Sequence, residues 1–166
     1  MGGLRKLSRE ELLLRFGRYG LPPFDWIEEG RLMASVYPNG LEYLKYLRTK
    51  EGIGFCINLA EAPWPDGWSQ GAKVACLHVP VVDMGLPTIE QACHVIDAID
   101  SSPSSVMLHC AAGLGRTGTM ISLYLTEKGL SGPNALEVVR SRRPGSVQTT
   151  EQERMVLEWT KGRGCR

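Results

Sequence analysis

An α/β fold, with a central, mostly parallel sheet flanked by helices, is what this 166-residue sequence predicts. Three observations predict it. Short apolar, β-rich runs alternate with helix-period segments along most of the chain. The runs "IGFCINLA" (53–60) and "VACLHVPVV" (74–82) have the composition of buried strands. A third run, "SSVMLHC" (104–110), passes through a glycine-bearing turn directly into helical sequence. In such sheets ligands bind beyond the carboxyl ends of the strands, and Cys110 falls at one of those ends.

The elements follow in order. Ser8-Arg9-Glu10-Glu11 resembles a capping box and opens a short helix through Leu12, Leu13 and Phe16. "YGLPPFDW" breaks that helix, and "GRLMASVYP" reads as a short strand ending at Pro38. Asn39 is expected to cap a helix whose Leu41, Leu44 and Leu47 share one apolar face. "EAPWPDGWSQG", between the strands at 53–60 and 74–82, reads as a Pro/Gly-punctuated loop. Thr88 caps a helix over 88–100. A mostly apolar helix over 116–129 closes at Gly129. "SGPNALEVVRSRRPG" and "TTEQERMVLEWTKG" supply two more helices.

Composition narrows the function classes. The length suits one domain with a real core. Lysine and arginine nearly balance aspartate and glutamate, leaving a formal charge of +1. No block of like charge marks a nucleic-acid partner. No run of 18 apolar residues marks a membrane span, and the start lacks a signal-peptide apolar region. Gly2 invites a myristoylation reading, but Lys6 stands where that motif wants Ser or Thr. Five cysteines without a CxxC pair read mostly as small core residues of a chain in a reducing, cytoplasmic compartment. They make no metal-ligand spacing with His78, His94 and His109, so neither metal nor cofactor is expected. A monomer is expected.

The chemistry concentrates in "CAAGLGR", from Cys110 to Arg116. Ala111, Ala112, Gly113, Leu114 and Gly115 form a loop whose backbone N–H groups can turn inward around one phosphate-sized anion. The following helix adds its own unsatisfied N–H groups and the positive end of its dipole. Arg116 can grip two oxygens with its planar fork. The same field favours the thiolate of Cys110, which then lies beneath the bound phosphorus as a nucleophile. Thr117 is placed to donate a hydrogen bond to the sulfur. His109, pointing to the other side of its strand, is expected to order the loop rather than act as a base.

"HCAAGLGRT" resembles the His-Cys-x5-Arg-Ser/Thr signature of the cysteine-based protein tyrosine phosphatases. The likeness extends through "GRL" (30–32), "NLAE" (58–61), "VPVVD" (79–83), "GRTGTM" (115–120) and "RPGSVQTTEQE" (143–153). As a whole the chain resembles a small atypical dual-specificity phosphatase of the VHZ type. That implies the protein tyrosine phosphatase-like fold for a catalytic domain over 22–166. Residues 1–21 are then a helical extension. It also implies phosphotyrosine and phosphoserine/threonine in proteins as the substrate class, through a phosphocysteine intermediate.

The resemblance places the acid that protonates the leaving oxygen one strand and one crossover helix before the cysteine. Asp83 has that place, with Gly85 and Pro87 close behind it. In one branch of the superfamily the acid follows Trp-Pro, which makes Asp66 in "WPD" the rival, but it lies one strand too early. Asp66 also reads as a turn residue in "PDG", and 61–70 as part of a pocket rim. Gln148 resembles the family's water-positioning glutamine. It is also readable as part of a polar helix start capped by Thr149 or Thr150, and Gln152 is the weaker choice for the role. Glu61 either orients Arg116 or is an ordinary surface glutamate. Phe24, Trp26, Tyr37, Tyr43 and Tyr46 read as packing, and "RSRRPG" as a basic helix end. Rival functions are a phosphoinositide or RNA 5′-phosphatase, a non-catalytic phospho-binding module and a rhodanese-type sulfurtransferase. The loop's lack of lysine argues against the first two.

Overall fold

The structure, a computed structural model, describes residues 5–159 and Cys165. Gly2 and the expected helix beyond Trp159 lie outside the described residues. Five strands form one sheet in the order β1-β2-β5-β3-β4: β1 (Phe24–Glu28), β2 (Leu32–Ser35), β3 (Ile53–Asn58), β4 (Ala75–His78) and β5 (Ser105–His109). β1 runs antiparallel to β2, and every other pairing is parallel. The expected mostly parallel sheet is therefore present, with one antiparallel edge.

Alternation along the central strands divides the core in two. Leu32, Ala34, Val106, Leu108 and Ile57 face one side, where α4 (Ile89–Ser101), α5 (Gly115–Glu127), α6 (Gly132–Arg142) and α7 (Thr150–Glu158) cover them. Met33, Met107, Ile53 and Cys56 face the other, under α1 (Arg9–Phe16), α2 (Leu41–Tyr46) and α3 (Trp68–Ala72). Strands buried on both faces lose the polar alternation of a half-exposed strand. The extension is docked through α1: Leu12 and Phe16 are buried, and the Phe16 ring lies 5.1 Å from that of Tyr43.

Local signals in the sequence translate directly into ends of helices. Ser8, Thr88 and Thr149 each accept from the backbone three residues on, and Glu11, Gln91 and Gln152 complete the three capping boxes. Four expectations change. "YGLPPFDW" follows the end of α1 as expected, but its last three residues also begin β1, whose buried positions are Asp25 and Ile27, and the aspartate hides the apolar alternation. Asn39 does not cap α2, whose preceding residue is Gly40. The Asn39 amide instead donates to the carbonyl of Arg15 at 3.3 Å. The 61–71 loop contains the short helix α3, bounded by left-handed Gly67 and Lys73. Cys93 and Cys165 form a disulfide with a Cα–Cα distance of 5.3 Å. Five separate thiols are thus not what the fold contains, and the cysteines no longer argue for a reducing compartment. No described helix is long and apolar enough to cross a membrane.

Candidate active site

β5 ends at His109 and delivers Cys110 to the carboxyl edge of the sheet. The chain then wraps through Ala111–Leu114 into α5, and the wrap depends on Gly113. Its φ is 68°, and a Cβ there would sit 2.1 Å from the Ser35 carbonyl oxygen. The carbonyls of Ala112 and Gly113 point outward, where Arg143 donates to them at 3.0 and 2.8 Å. Arg143 is 2% exposed, pairs with Asp25 at 2.7 Å and also donates to the carbonyl of Pro22. With those carbonyls drawn outward, the loop's N–H groups are left to the inner side. Among the described residues, no carbonyl or side chain accepts from the N–H groups of Ala111, Ala112, Gly113 or Leu114.

Arg116, in the first turn of α5, is 4% exposed. It donates to the Val81 carbonyl at 2.8 Å and pairs with Asp83 at 2.9 Å. Its Nε is buried without a partner, as is Oγ1 of Thr117. The expected bond from Thr117 to the Cys110 sulfur is therefore not formed. The loop and Arg116 thus hold uncommitted donors side by side, an arrangement suited to one anion.

Asp83 reaches this site from the segment after β4. Its backbone N–H donates to Glu61 at 3.1 Å, and its carboxylate accepts from the N–H of Met84 at 3.0 Å. Glu61 therefore does not orient Arg116; it steadies the backbone of the residue that does. The geometric reason is that the loops after β3 and β4 leave neighbouring parallel strands side by side. Asp66 lies exposed on the turn before Gly67 and lines neither cavity at the site, whereas Glu61, Pro63 and Pro65 line the wider one.

The tryptophan of "WPD" has another partner. Trp64 donates its indole N–H to Nε2 of His109 at 2.9 Å. An indole is a donor only, so Nδ1 of His109 carries the proton and donates to the Cys110 carbonyl at 3.1 Å. Burial holds the His109 imidazole neutral, with its pKa lowered to about 3. The expected loop-ordering role for His109 thus has a defined geometry.

Gln148 shares a cavity of about 270 Å³ with Cys110, Asp83 and Arg116. Its side chain crosses the start of α5, where a Cβ on Gly115 would lie 2.5 Å from Oε1. Gln152 is fully buried and holds the neighbourhood together. It accepts from the N–H groups of Gln148 and Thr149 and donates to the carbonyl of Gly85 at 3.1 Å. Sequence reasoning missed Arg143, Trp64 and this role of Gln152. Only the "RPG" turn after Arg143 hinted that one arginine of "RSRRPG" is directed inward. Among the described residues no cluster of His, Cys, Asp and Glu is placed to hold a metal ion.

A parallel sheet with a cysteine at the carboxyl end of its central strand, a glycine-bent anion loop and a buried arginine define a cysteine-based phosphatase domain. The chain belongs to the family described as PTP-SAK, Swiss Army Knife protein, DSP-PTPase phosphatase domain, whose model matches residues 21–156. It is 36% identical over 137 residues to an uncharacterised protein of Methanocaldococcus jannaschii, covering 78% of this chain and 90% of that protein. It is 36% identical over 149 residues to the tyrosine-protein phosphatase cdc-14 of Caenorhabditis elegans, covering 80% of this chain but 21% of the nematode protein. A second M. jannaschii relative is covered over 57% of its length. The chain thus spans just over half of one of these relatives and about a fifth of another. Among solved structures it is similar to the active form of Tk-PTP, with a TM-score of 0.72 and 30% identity, covering 82% of this chain and 95% of that one.

Proposed function

We propose that the chain hydrolyses phosphotyrosine and phosphoserine/threonine monoesters in proteins through a phosphocysteine intermediate. One observation carries the reading. Four uncommitted loop N–H groups and the unpartnered Nε of buried Arg116 surround the end of β5, where Cys110 stands. Buried donors without acceptors are costly, and a phosphate dianion satisfies them together.

The reaction is two displacements. The phosphate occupies the loop and takes the place of the Asp83 carboxylate on Arg116, and the displaced carboxylate takes up a proton from solvent. The Cys110 thiolate attacks phosphorus, the bond from phosphorus to the leaving oxygen breaks, and Asp83 gives that oxygen its proton. Water then attacks the phosphocysteine. Asp83, now a carboxylate, takes the water's proton, the sulfur–phosphorus bond breaks, and phosphate and thiolate are regenerated. Gln148 is positioned to hold that water. Positioning and charge stabilisation supply most of the rate.

The test is acid-quenched turnover of a phosphotyrosine peptide by wild type and Cys110→Ser. The expected result is a phosphorylated enzyme in the wild type and neither phosphoenzyme nor product in the variant. Product release by Cys110→Ser at the wild-type rate overturns the proposal.

A further inference from the structure

The docked extension also builds a pocket, on the face of the sheet that α1 and α2 cover. A cavity of about 260 Å³ opens there, and none of its lining residues lines either cavity at Cys110. Leu7, Phe16 and Tyr46 form its apolar wall, with the two rings 5.7 Å apart. Neighbouring bonds hold that wall in place. Phe16 is buried, and the Tyr46 hydroxyl accepts from the Leu7 N–H at 3.1 Å and donates to Glu51 at 3.3 Å.

Cations surround the wall. Arg5, Arg15, Lys45 and Lys50 line the cavity against a single carboxylate, Glu42. Arg15 is paired with Glu42, and its guanidinium also lies 5.3 Å from the centroid of the Phe16 ring. Arg5 is paired with Glu11. Lys45 and Lys50 pair with no carboxylate among the described residues. The rim is therefore positive.

The backbone takes an uncommon shape to place the two lysines together. At about 3.6 residues per turn, side chains five residues apart point roughly 140° away from each other. The segment Leu47–Glu51 is instead a π-turn, closed by a bond from the Gly52 N–H to the Leu47 carbonyl five residues back. That wider turn brings Lys50 round toward the side of Lys45, and both reach the cavity. Turns of this kind are rare and gather at functional sites.

Size and charge select the occupant. Sites for small molecules commonly run from about 300 to 1,000 Å³, so this cavity suits one large side chain better than a whole ligand. An apolar wall under a positive rim is complementary to a bulky apolar residue with acidic neighbours. A peptide carries both in one chain. Arg5, Leu7, Arg15 and Phe16 precede the family match at residues 21–156, whereas Lys45 and Lys50 lie within it. The pocket thus exists only where the extension meets the domain.

We propose that this pocket is a docking site for an acidic peptide segment of a partner protein. The segment sets one bulky apolar side chain against Leu7, Phe16 and Tyr46 and its carboxylates against Lys45 and Lys50. This surface goes beyond the phosphatase reading and does not depend on it.

The experiment is selection of a displayed library of random short peptides on the protein, followed by calorimetric titration of the enriched peptides. The enriched sequences are expected to carry one bulky apolar residue flanked by Asp or Glu. Alanine in place of that apolar residue is expected to weaken binding about ten- to hundredfold. The double variant Lys45→Glu/Lys50→Glu is expected to weaken it about five- to thirtyfold, and less at high salt. Thr49→Trp, which fills the pocket from its lining, is expected to weaken it at least tenfold, with Tm checking the fold. Arg154→Glu, on α7 across the sheet, is expected to bind as wild type. No enrichment overturns the proposal, as does enrichment of acidic peptides without an apolar residue. Undiminished binding to the double-lysine variant or to Thr49→Trp also overturns it. So does binding that appears only when residues 1–4 are removed, which would make the chain's own start the occupant. Self-association of the wild type that the double-lysine variant abolishes would make the occupant a second copy and overturn it too.

Discussion

Trp64 donates its indole N–H to Nε2 of His109 at 2.9 Å, and the two rings stack with centroids 6.0 Å apart. The relationship gives "WPD" a place in this chain that differs from the one the motif invites. The tryptophan fixes the tautomer of the histidine beneath the phosphate loop, and the aspartate two residues later stays exposed on a turn.

This pair makes stability depend on pH. His109 titrates near 3 in the fold, against an ordinary value of 6.5 in the unfolded chain. Between those values the unfolded state binds the extra proton. The contribution is fully present above pH 6.5 and is lost as pH falls toward 3, at up to ~1.4 kcal/mol per pH unit. Urea unfolding at several pH values is expected to show a shallower acid slope for His109→Gln than for wild type. Trp64→Phe leaves a buried ring nitrogen without its donor and is expected to lose about 1–3 kcal/mol at pH 7.

The acid assignment is tested by comparing Asp83→Asn with Asp66→Asn. On a phosphotyrosine peptide, Asp83→Asn is expected to lower kcat by about 10²–10⁴ and to flatten the alkaline limb of the pH–rate profile. Asp66→Asn is expected to behave as wild type. The reverse result would move the acid to the loop after β3.

Asp83 pairs with Arg116 at 2.9 Å, so in the proposed reaction carboxylate and phosphate compete for one guanidinium. The Asp83 side chain is 66% exposed, which screens the pair and keeps the effect small. Titration calorimetry with tungstate is expected to show Asp83→Asn binding about two- to fivefold more tightly than wild type. Weaker binding would mean that the carboxylate organises the site rather than competes for it.

Arg143 has more at stake, because its charge is buried with that of Asp25. Removing Asp25 leaves the buried Arg143 charge without a carboxylate, whereas Asp25 without Arg143 keeps Arg9 at 2.9 Å; Asp25→Asn is expected to destabilise the fold by about 3–5 kcal/mol and Arg143→Met by less. Arg143→Lys keeps the charge but not the fork that spans Ala112, Gly113 and Asp25. It is expected to lower kcat/KM by about 10²-fold while retaining most of the Tm, because the loop's N–H groups lose their aim. Thermal melts and kinetics on the same preparations check both expectations.

Much of this molecule is legible along the chain. The three capping boxes, the buried strands 53–58 and 105–109 and the loop from Cys110 to Arg116 each depend on residues within a turn or two of one another. Spacing therefore records them. β1 was hidden by a buried aspartate, and that aspartate is buried because an arginine 118 residues later meets it. Glu61 was read as a partner of Arg116 or as a surface glutamate, but its partner is the backbone N–H of Asp83, which no side-chain pattern announces.

The sequence by itself determined the parallel strands of the sheet, the cysteine at their edge and the glycine-bearing loop after it, because local periodicity, glycine placement and capping chemistry encode them. Only the tertiary structure decided that Arg143 aims the loop, that Trp64 sets the tautomer of His109 and that Asp83 rests on Arg116. Those relationships join backbone carbonyls, ring nitrogens and side chains from strands and helices far apart in the chain. Packing brings them together, and residue spacing carries no trace of it.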